Sequence, residues 1–508
     1  LKQYSKKEKK MNRETSCVIK LFVTLIVSCL LFLPAFAFAA DKAAKIDELL
    51  HMYHEYGMFN GTVLVAEKGE VILKKGYGYA DIEWVVENEP DTKFRVGSLT
   101  KQFTAMLIMQ LVEENEIELN RPLTVYLPDY RRDTGDRVTI HNLLTHTSGI
   151  PNYADIPGFW SDSIMIHYTF NRLLYELCAG DLEFEPGSNI RYSNSNYVIL
   201  GAIIENITGK KYEDVLRERI LEPLGMENTG VDDYTQIIKN RAAGYARRIY
   251  GLINSSYIHM ANFFAAGAMY STVEDLFIWD QALYTNKLLG ENYKNKMFTP
   301  FLSNYAYGWG VKRVPVGGEP GVDEYEDSVK IISHSGGITG FTSTIHRLVE
   351  DKHTVILFDN TGSSVLSDIA GAIRNILYDK PHDMPKRSVA ETLYKTVVED
   401  GVETAIEQYH ILRKEQSDEY NFDESELNDL GYALLHLQKV TDAIAIFELN
   451  VEMYSDGYNT YDSLGEALMI DGQVDLAIQN YAKSLELNPN NTNAIIMLHR
   501  IYEQRQKS

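Results

Sequence analysis

The chain has 508 residues, too many for one ordinary domain, and 45% of them are hydrophobic, ample for more than one core. Against 71 Asp and Glu it sets 49 Lys and Arg, a formal charge of −22. This balance lacks the basic surface of a nucleic-acid-binding protein, so no nucleic-acid partner is expected.

In chain order, Lys6, Lys7, Lys9, Lys10, Arg13 and Lys20 precede an apolar run over 21–40 that contains Pro34 and ends in Ala37-Phe38-Ala39. A basic head, an apolar centre and a small-x-small end describe an export signal over 1–39, cleaved after Ala39, with Met11 a candidate start. The run is also long enough for an uncleaved anchor, and Ile26-Val27-Ser28-Cys29 resembles a lipid-attachment site. All three routes place the rest of the chain in the periplasm or outside the cell. Only the last two tie it to a membrane. Cys17 and Cys29 fall in this segment, which leaves Cys178 without an intrachain partner and suited to a small buried role.

An amphipathic helix is predicted over 41–56, then a hairpin of strands 62–66 and 71–75 around a Lys68-Gly69 turn. The stretch FRVGSLTKQFTAMLIMQL spans 94–111 and reads as helix from Leu99. Leu99, Phe103, Met106, Leu107, Ile108 and Leu111 cover every face, the mark of a buried helix. A long, mostly helical middle follows, interrupted by loops such as LLTHTSGIPNY at 143–153. Strands are predicted again at 307–314, 329–333, 341–347 and 354–358, and a helix at 365–378 closes the unit. Strands at both ends of 41–380 imply an α/β (α+β) domain, one antiparallel sheet flanked by helices with an all-helical subdomain inserted.

The segment DKPHDMPKRS at 379–388 reads as a linker. Beyond it, Leu430-Gly431-Tyr432-Ala433-Leu434 recurs as Leu464-Gly465-Glu466-Ala467-Leu468, a shift of 34. Ala443, Ile444 and Phe447 recur as Ala477, Ile478 and Tyr481 at the same shift, and Asn488-Pro489 ends the second copy. This is the helix–turn–helix TPR pattern, which makes 388–508 a TPR-like all-α domain. Helical segments over 390–414 and 492–506 are expected to cap it. It serves either as a stabilising appendage or as a surface for a protein partner.

Ser98-Leu99-Thr100-Lys101 is the only Ser-x-x-Lys in the chain. Three residues apart on a helix, the two side chains share a face. A desolvated lysine has a lowered pKa and can take the serine proton, and the helix dipole can stabilise developing negative charge. Helix capping would explain Ser98 but not a lysine in a buried first turn. Metal chemistry finds no support in the pattern. There is no His-Glu-x-x-His, His141 and His146 are five apart, and Gly-x-Ser-x-Gly and phosphate-binding glycine loops are missing. No metal and no cofactor are expected.

Residues 94–104, the 143–153 loop, Tyr192-Ser193-Asn194, PLGMENTG at 223–230 and His334-Ser335-Gly336 resemble the serine β-lactamase and penicillin-binding protein family. The likeness is to its class C β-lactamase, DD-carboxypeptidase and esterase branch, in the family's order over about 45–380. The resemblance implies the β-lactamase/transpeptidase-like fold. It makes Ser98 the acylated nucleophile, Lys101 its proton acceptor and Tyr192 the proton donor to the leaving group. Asn194 would orient Lys101 and hold the substrate, with His334 and Gly336 beside it. The backbone N–H groups of Ser98 and Gly337 would form the oxyanion hole. Tyr284-Thr285-Asn286 and Tyr293-Lys294-Asn295 also fit Tyr-x-Asn but lack the flanking Glu185-Pro186-Gly187 turn. Class C β-lactamases usually carry Lys-Thr-Gly where this chain has His334-Ser335-Gly336, so efficient β-lactam hydrolysis does not follow. The implied activity is an exported serine hydrolase acting through a Ser98 acyl-enzyme on an ester or amide, D-Ala cell-wall peptides included. The alternatives are a class C-type β-lactamase and a catalytically silent scaffold that works through the TPR-like region.

Overall fold

The computed structural model describes residues 41–317 and 328–507. The expected export segment, with Cys17 and Cys29, lies outside the described residues, and none of the described helices is long and apolar enough to cross a membrane. The described residues divide into two compact units, those within Leu1–Tyr245 and Ser255–Asp383 and those within Ala246–Asn254 and Met384–Ser508.

The first unit is built on one six-stranded antiparallel sheet. Its N-terminal part supplies helix α1 (41–55) and strands β1 (Gly61–Glu67) and β2 (Glu70–Tyr77). Helices α2 (Thr100–Glu113), α3 (Asn194–Thr208) and the short α4 (Phe264–Gly267) lie in the middle. The C-terminal part supplies β3 (Gly310–Pro315), β4 (Ser328–Ile338), β5 (Phe341–Leu348), β6 (His353–Asp359) and α5 (Leu366–Leu377). The strand order is β3-β4-β5-β6-β1-β2, so the first strand sits between the second and the last. The chain thus has the expected α/β class, an antiparallel sheet with helices.

Alternation along the strands decides what covers each face. Val63 and Val65 of β1, with Val355 and Leu357 of β6, pack against Ile46, Leu49 and Leu50 of α1 and Ile369 and Ile373 of α5. Their neighbours Leu64, Ala66, Ile356 and Phe358 face the other way, into the large core that holds α2. The middle is less uniformly helical than its composition predicts. Phe94–Arg95, Met269–Ser271 and Gly230–Val231 form a small antiparallel sheet. Such short strands carry no period that a sequence can show.

In the second unit, Glu424–His436 pairs with Val440–Met453, and Tyr458–Ile470 pairs with Val474–Leu487. The repeated glycine lets each pair close. A Cβ at Gly431 would stand 2.4 Å from the Phe447 ring, and one at Gly465 would stand 3.0 Å from the Tyr481 ring. The predicted helical segment over 390–414 is two helices, Val389–Glu399 and Val402–Glu415, separated at Gly401, where φ is +94°.

Candidate active site

Ser98 lies in a single 3-10 turn, Gly97–Leu99, that runs into α2. Gly97 is required there twice over. Its φ is +51°, and a Cβ would stand 2.9 Å from the carbonyl oxygen of Gly337. Next to it, a Cβ on Gly336 would fall 2.0 Å from the carbonyl oxygen of Val96. Backbone against backbone, the turn carrying Ser98 is therefore seated on the end of β4. No side-chain capping bond is made at the start of this turn or of α2, so Ser98 is not a helix cap.

Lys101, in the first turn of α2, is 0% exposed. Its Nζ lies 2.9 Å from Ser98 Oγ, 2.8 Å from Asn194 Oδ1 and 2.8 Å from the carbonyl oxygen of Ala266 in α4. All three partners are uncharged, and desolvation alone holds the amine well below the ordinary lysine value. A neutral amine has two N–H bonds and one lone pair. The amide oxygen and the carbonyl oxygen can only accept, so they take the two hydrogens and leave the lone pair for the Ser98 hydroxyl.

Tyr192 and Asn194 arrive together at the start of α3, where the Asn194 N–H donates to Asn152 Oδ1 at 3.0 Å. The Tyr192 ring centroid is 4.8 Å from Lys101 Nζ. Tyr192 keeps 41% of its surface open to the cleft, yet its phenol is ringed by His146, Tyr305 and His334. Burial pushes that phenol well above the usual tyrosine value, and a hydrogen bond with Ser98 pulls the other way. His334 stands on β4 with its ring centroid 6.2 Å from that of Tyr192. Burial holds its imidazole below the usual histidine value. Gly337 is exposed, and a Cβ placed on it would meet nothing within 4 Å.

Ser98, Lys101, Tyr192, Asn194, His334, Gly336 and Gly337 thus converge on one cleft. The two other Tyr-x-Asn matches do not join them: Tyr284 covers the buried Arg347, and Tyr293 lies in Glu291–Met297. Cys178 is free and buried, its thiol raised to about 12 by burial. Sequence reasoning missed two participants. Ala266 acts through a backbone carbonyl, which no side chain advertises. Tyr305 bridges His146 and His334 from a turn before β3, and only its place in the aromatic run Tyr305-Ala306-Tyr307-Gly308-Trp309 hinted at a role.

A family model described as Beta-lactamase matches residues 43–378. The chain is 29% identical over 370 residues to penicillin-binding protein 4* of Bacillus subtilis (strain 168), covering 68% of this chain and 78% of that one. It is 28% identical over 321 residues to the teichoic acid D-alanine hydrolase of Staphylococcus aureus (strain NCTC 8325 / PS 47), covering 62% and 73%. Among solved structures, the D-amino acid amidase of Ochrobactrum anthropi SV3 complexed with L-phenylalanine amide superposes with a TM-score of 0.56 at 25% identity, covering 66% of this chain and 98% of that one. The match runs through the cleft just described, and the chain belongs to the Beta-lactamase family as a serine hydrolase of that fold.

Proposed function

We propose that this protein hydrolyses D-aminoacyl esters or amides, D-alanyl groups of the cell wall among them, through an acyl-enzyme on Ser98. The observation that carries the reading is the Lys101 amine, fully buried, without a carboxylate partner, and 2.9 Å from Ser98 Oγ. As Ser98 Oγ bonds to the substrate carbonyl carbon, its proton passes to the Lys101 lone pair. The carbonyl electrons move to oxygen, and the N–H groups of Ser98 and Gly337 receive the oxyanion, a role supported by the close seating of Gly97 on the Gly337 backbone. Collapse expels the alcohol or amine. Tyr192 gives that leaving atom its proton and regains one from the Lys101 ammonium, which restores the neutral amine. Water then attacks the acyl carbon and, by the same relay in reverse, releases the acid and Ser98.

Support for D-aminoacyl substrates comes from the similarity to a teichoic acid D-alanine hydrolase and a D-amino acid amidase. The basic, apolar N-terminal segment supports an exported location, periplasmic or extracellular. The 34-residue offset supports a TPR-like stack in the second unit, with a face open to a protein or peptide. A fluorophosphonate probe tests the chemistry. Wild type is expected to label covalently and turn over a D-alanyl aryl ester, and Ser98→Ala to do neither. Equal labelling of the two proteins ends the proposal.

A further inference from the structure

Helix α4 borders a second space besides the cleft. Its Ala266 carbonyl oxygen accepts from Lys101 at 2.8 Å, and its first residue, Phe264, lines a cavity of about 520 Å³. None of Ser98, Lys101, Tyr192, Asn194, His334, Gly336 and Gly337 reaches that cavity. Phe170, Leu173, Tyr212, Val231 and Phe264 make its apolar wall. The size and the lining are those of a site for a small organic ligand.

The charged groups of the wall are mostly acidic, and two are unspent. Asp232 binds Arg95 and Arg241 at 2.7 and 2.8 Å, neither of which lines the cavity, and Glu213 has Lys211 at 3.9 Å. Glu205 and Asp233 make no ion pair among the described residues. Glu205 Oε1 accepts the Tyr212 N–H at 2.8 Å, and Asp233 Oδ1 accepts the Thr235 N–H at 2.9 Å. Each carboxylate keeps a second oxygen that no hydrogen-bond donor among the described residues takes. Burial raises the Glu205 carboxyl above its ordinary value, the sign of a charge short of compensation. His259, in the same wall, is 6% exposed, and its buried Nδ1 has no hydrogen-bond partner. Unpaired groups of this kind in an apolar wall are costly unless something else pairs them.

The cavity wall also reaches the helix that Lys101 leans on. Phe264 has a φ of +37°, a strained value for an aromatic residue, and its ring packs on those of Phe170 and Tyr212, each centroid 5.3 Å away. Thr104 Oγ1 gives its hydrogen to the Ala265 carbonyl oxygen at 2.7 Å, so Tyr212 Oη donates to Thr104 at 2.8 Å. Adjacent carbonyls of α4 thus answer to the cavity wall and to Lys101. We propose that this cavity is a second binding site, for a primary ammonium ion on an apolar body, and that its occupant steadies α4 against Lys101. The ammonium brings three N–H donors to the carboxylates of the wall, and the apolar body covers Phe264 and Tyr212. A neutral ligand would leave the carboxylates unpaired, and an anion would face them. A body packed on those two rings opposes the relaxation of Phe264 that would draw the Ala266 carbonyl away from the amine. The binding site stands apart from the hydrolase reading above, and the effect on Lys101 rests on it.

The test titrates 2-phenylethylammonium by calorimetry into the wild-type protein and into protein already labelled at Ser98 by a fluorophosphonate, with 2-phenylethanol and phenylacetate as neutral and anionic controls. The ammonium is expected to bind both forms, about tenfold or more tighter than either control, the worth of one charge-assisted contact. Glu205→Gln keeps an acceptor for the Tyr212 N–H and is expected to weaken the ammonium by about tenfold while leaving 2-phenylethanol unchanged. Asp233→Asn, nearer the surface, gives the same reading should Glu205→Gln fail to fold. Saturating ammonium is expected to quicken Ser98 labelling about fivefold. Tyr212→Phe, which keeps the ring but not the bond to Thr104, is expected to keep the affinity and lose that acceleration. Binding abolished by the Ser98 label, equal binding of the alcohol, or unchanged affinity in both carboxylate variants overturns the site. A labelling rate indifferent to the ammonium overturns the coupling. Absence of Ser98 labelling altogether ends the hydrolase reading and the coupling with it, and binding to the unlabelled protein still decides the site.

Discussion

At the scale of single residues, the site is held in a form the isolated side chains would not choose. Lys101 gives up its charge to be buried among three neutral oxygens, and that has a thermodynamic signature. The unfolded chain keeps the ordinary lysine value of 10.5, whereas the folded amine lies well below it. Between those two values the unfolded state binds the extra proton, so this residue destabilises the fold at neutral pH, and the penalty fades as pH rises toward 10.5. Lys101→Met removes the penalty and keeps the apolar stem. We expect it to raise stability on the order of 1 kcal/mol at pH 7, by denaturant unfolding, with a smaller gain at pH 9.5 and no acylation at either. A stability difference between the two proteins that stays the same at pH 7 and pH 9.5 would mean the amine keeps its ordinary value, and its charge, in the fold. The Ser98–Lys101 pair was legible because a buried amine is anomalous in any apolar helix. Tyr305 was not, since one tyrosine of an aromatic run looks like core until its two histidine neighbours are known. In the sequence His146 was only a residue of the 143–153 loop, five positions from His141. The structure puts it in a turn, with φ of +58°, where its buried ring takes the Ser193 N–H and lies within hydrogen-bonding reach of Tyr305.

At the scale of elements, the cleft depends on how closely β4 approaches the turn that carries Ser98. Two adjacent glycines on that strand answer to different demands. A methyl group on Gly336 would collide with the Val96 carbonyl oxygen at 2.0 Å, backbone that cannot rotate away, whereas one on Gly337 would enter open space. Gly336→Ala should therefore destabilise by about 1–3 kcal/mol as the strand is pushed from the turn. Gly337→Ala should stay within about 0.5 kcal/mol of wild type in thermal unfolding and lose turnover, because its methyl group occupies the cleft. Equal stability losses in the two variants would break this account. The strands themselves were readable from their alternation, to within a residue or two at most ends. The exceptions are β3, which starts at Gly310 rather than at 307, and β4, which continues past residue 333 through the His334-Ser335-Gly336 motif to Ile338. Small and polar residues interrupt the apolar period there, because that end of the strand packs on backbone and faces the cleft rather than the core.

At the scale of the whole hydrolase unit, the sequence order and the spatial order conflict. The residues that Ser98 chemistry needs most, Ser98, Lys101, Tyr192 and Asn194, all precede β4, yet they depend on strands that come later in the chain. Strand β1 lies between β2 and β6, with Gly61 opposite both Tyr77 and Asp359. The contact with β2 is local. The contact with β6 closes a loop spanning almost the whole unit, whose entropy cost is met only when both faces of the sheet are covered. A chain stopped after residue 327 keeps all four side chains but lacks β4, β5, β6 and α5. Val63 and Val65 then lose Val355 and Leu357 beside them and α5 above them, and Gly97 loses the Gly337 backbone on which it rests. Such a chain should show little fixed structure in near-UV circular dichroism, aggregate through the open edge of β1, and fail to label with a fluorophosphonate. Should it label at the wild-type rate, the early helices would be able to hold the buried amine against the serine by themselves. The sheet would then be a support for the site rather than the wall that dries it.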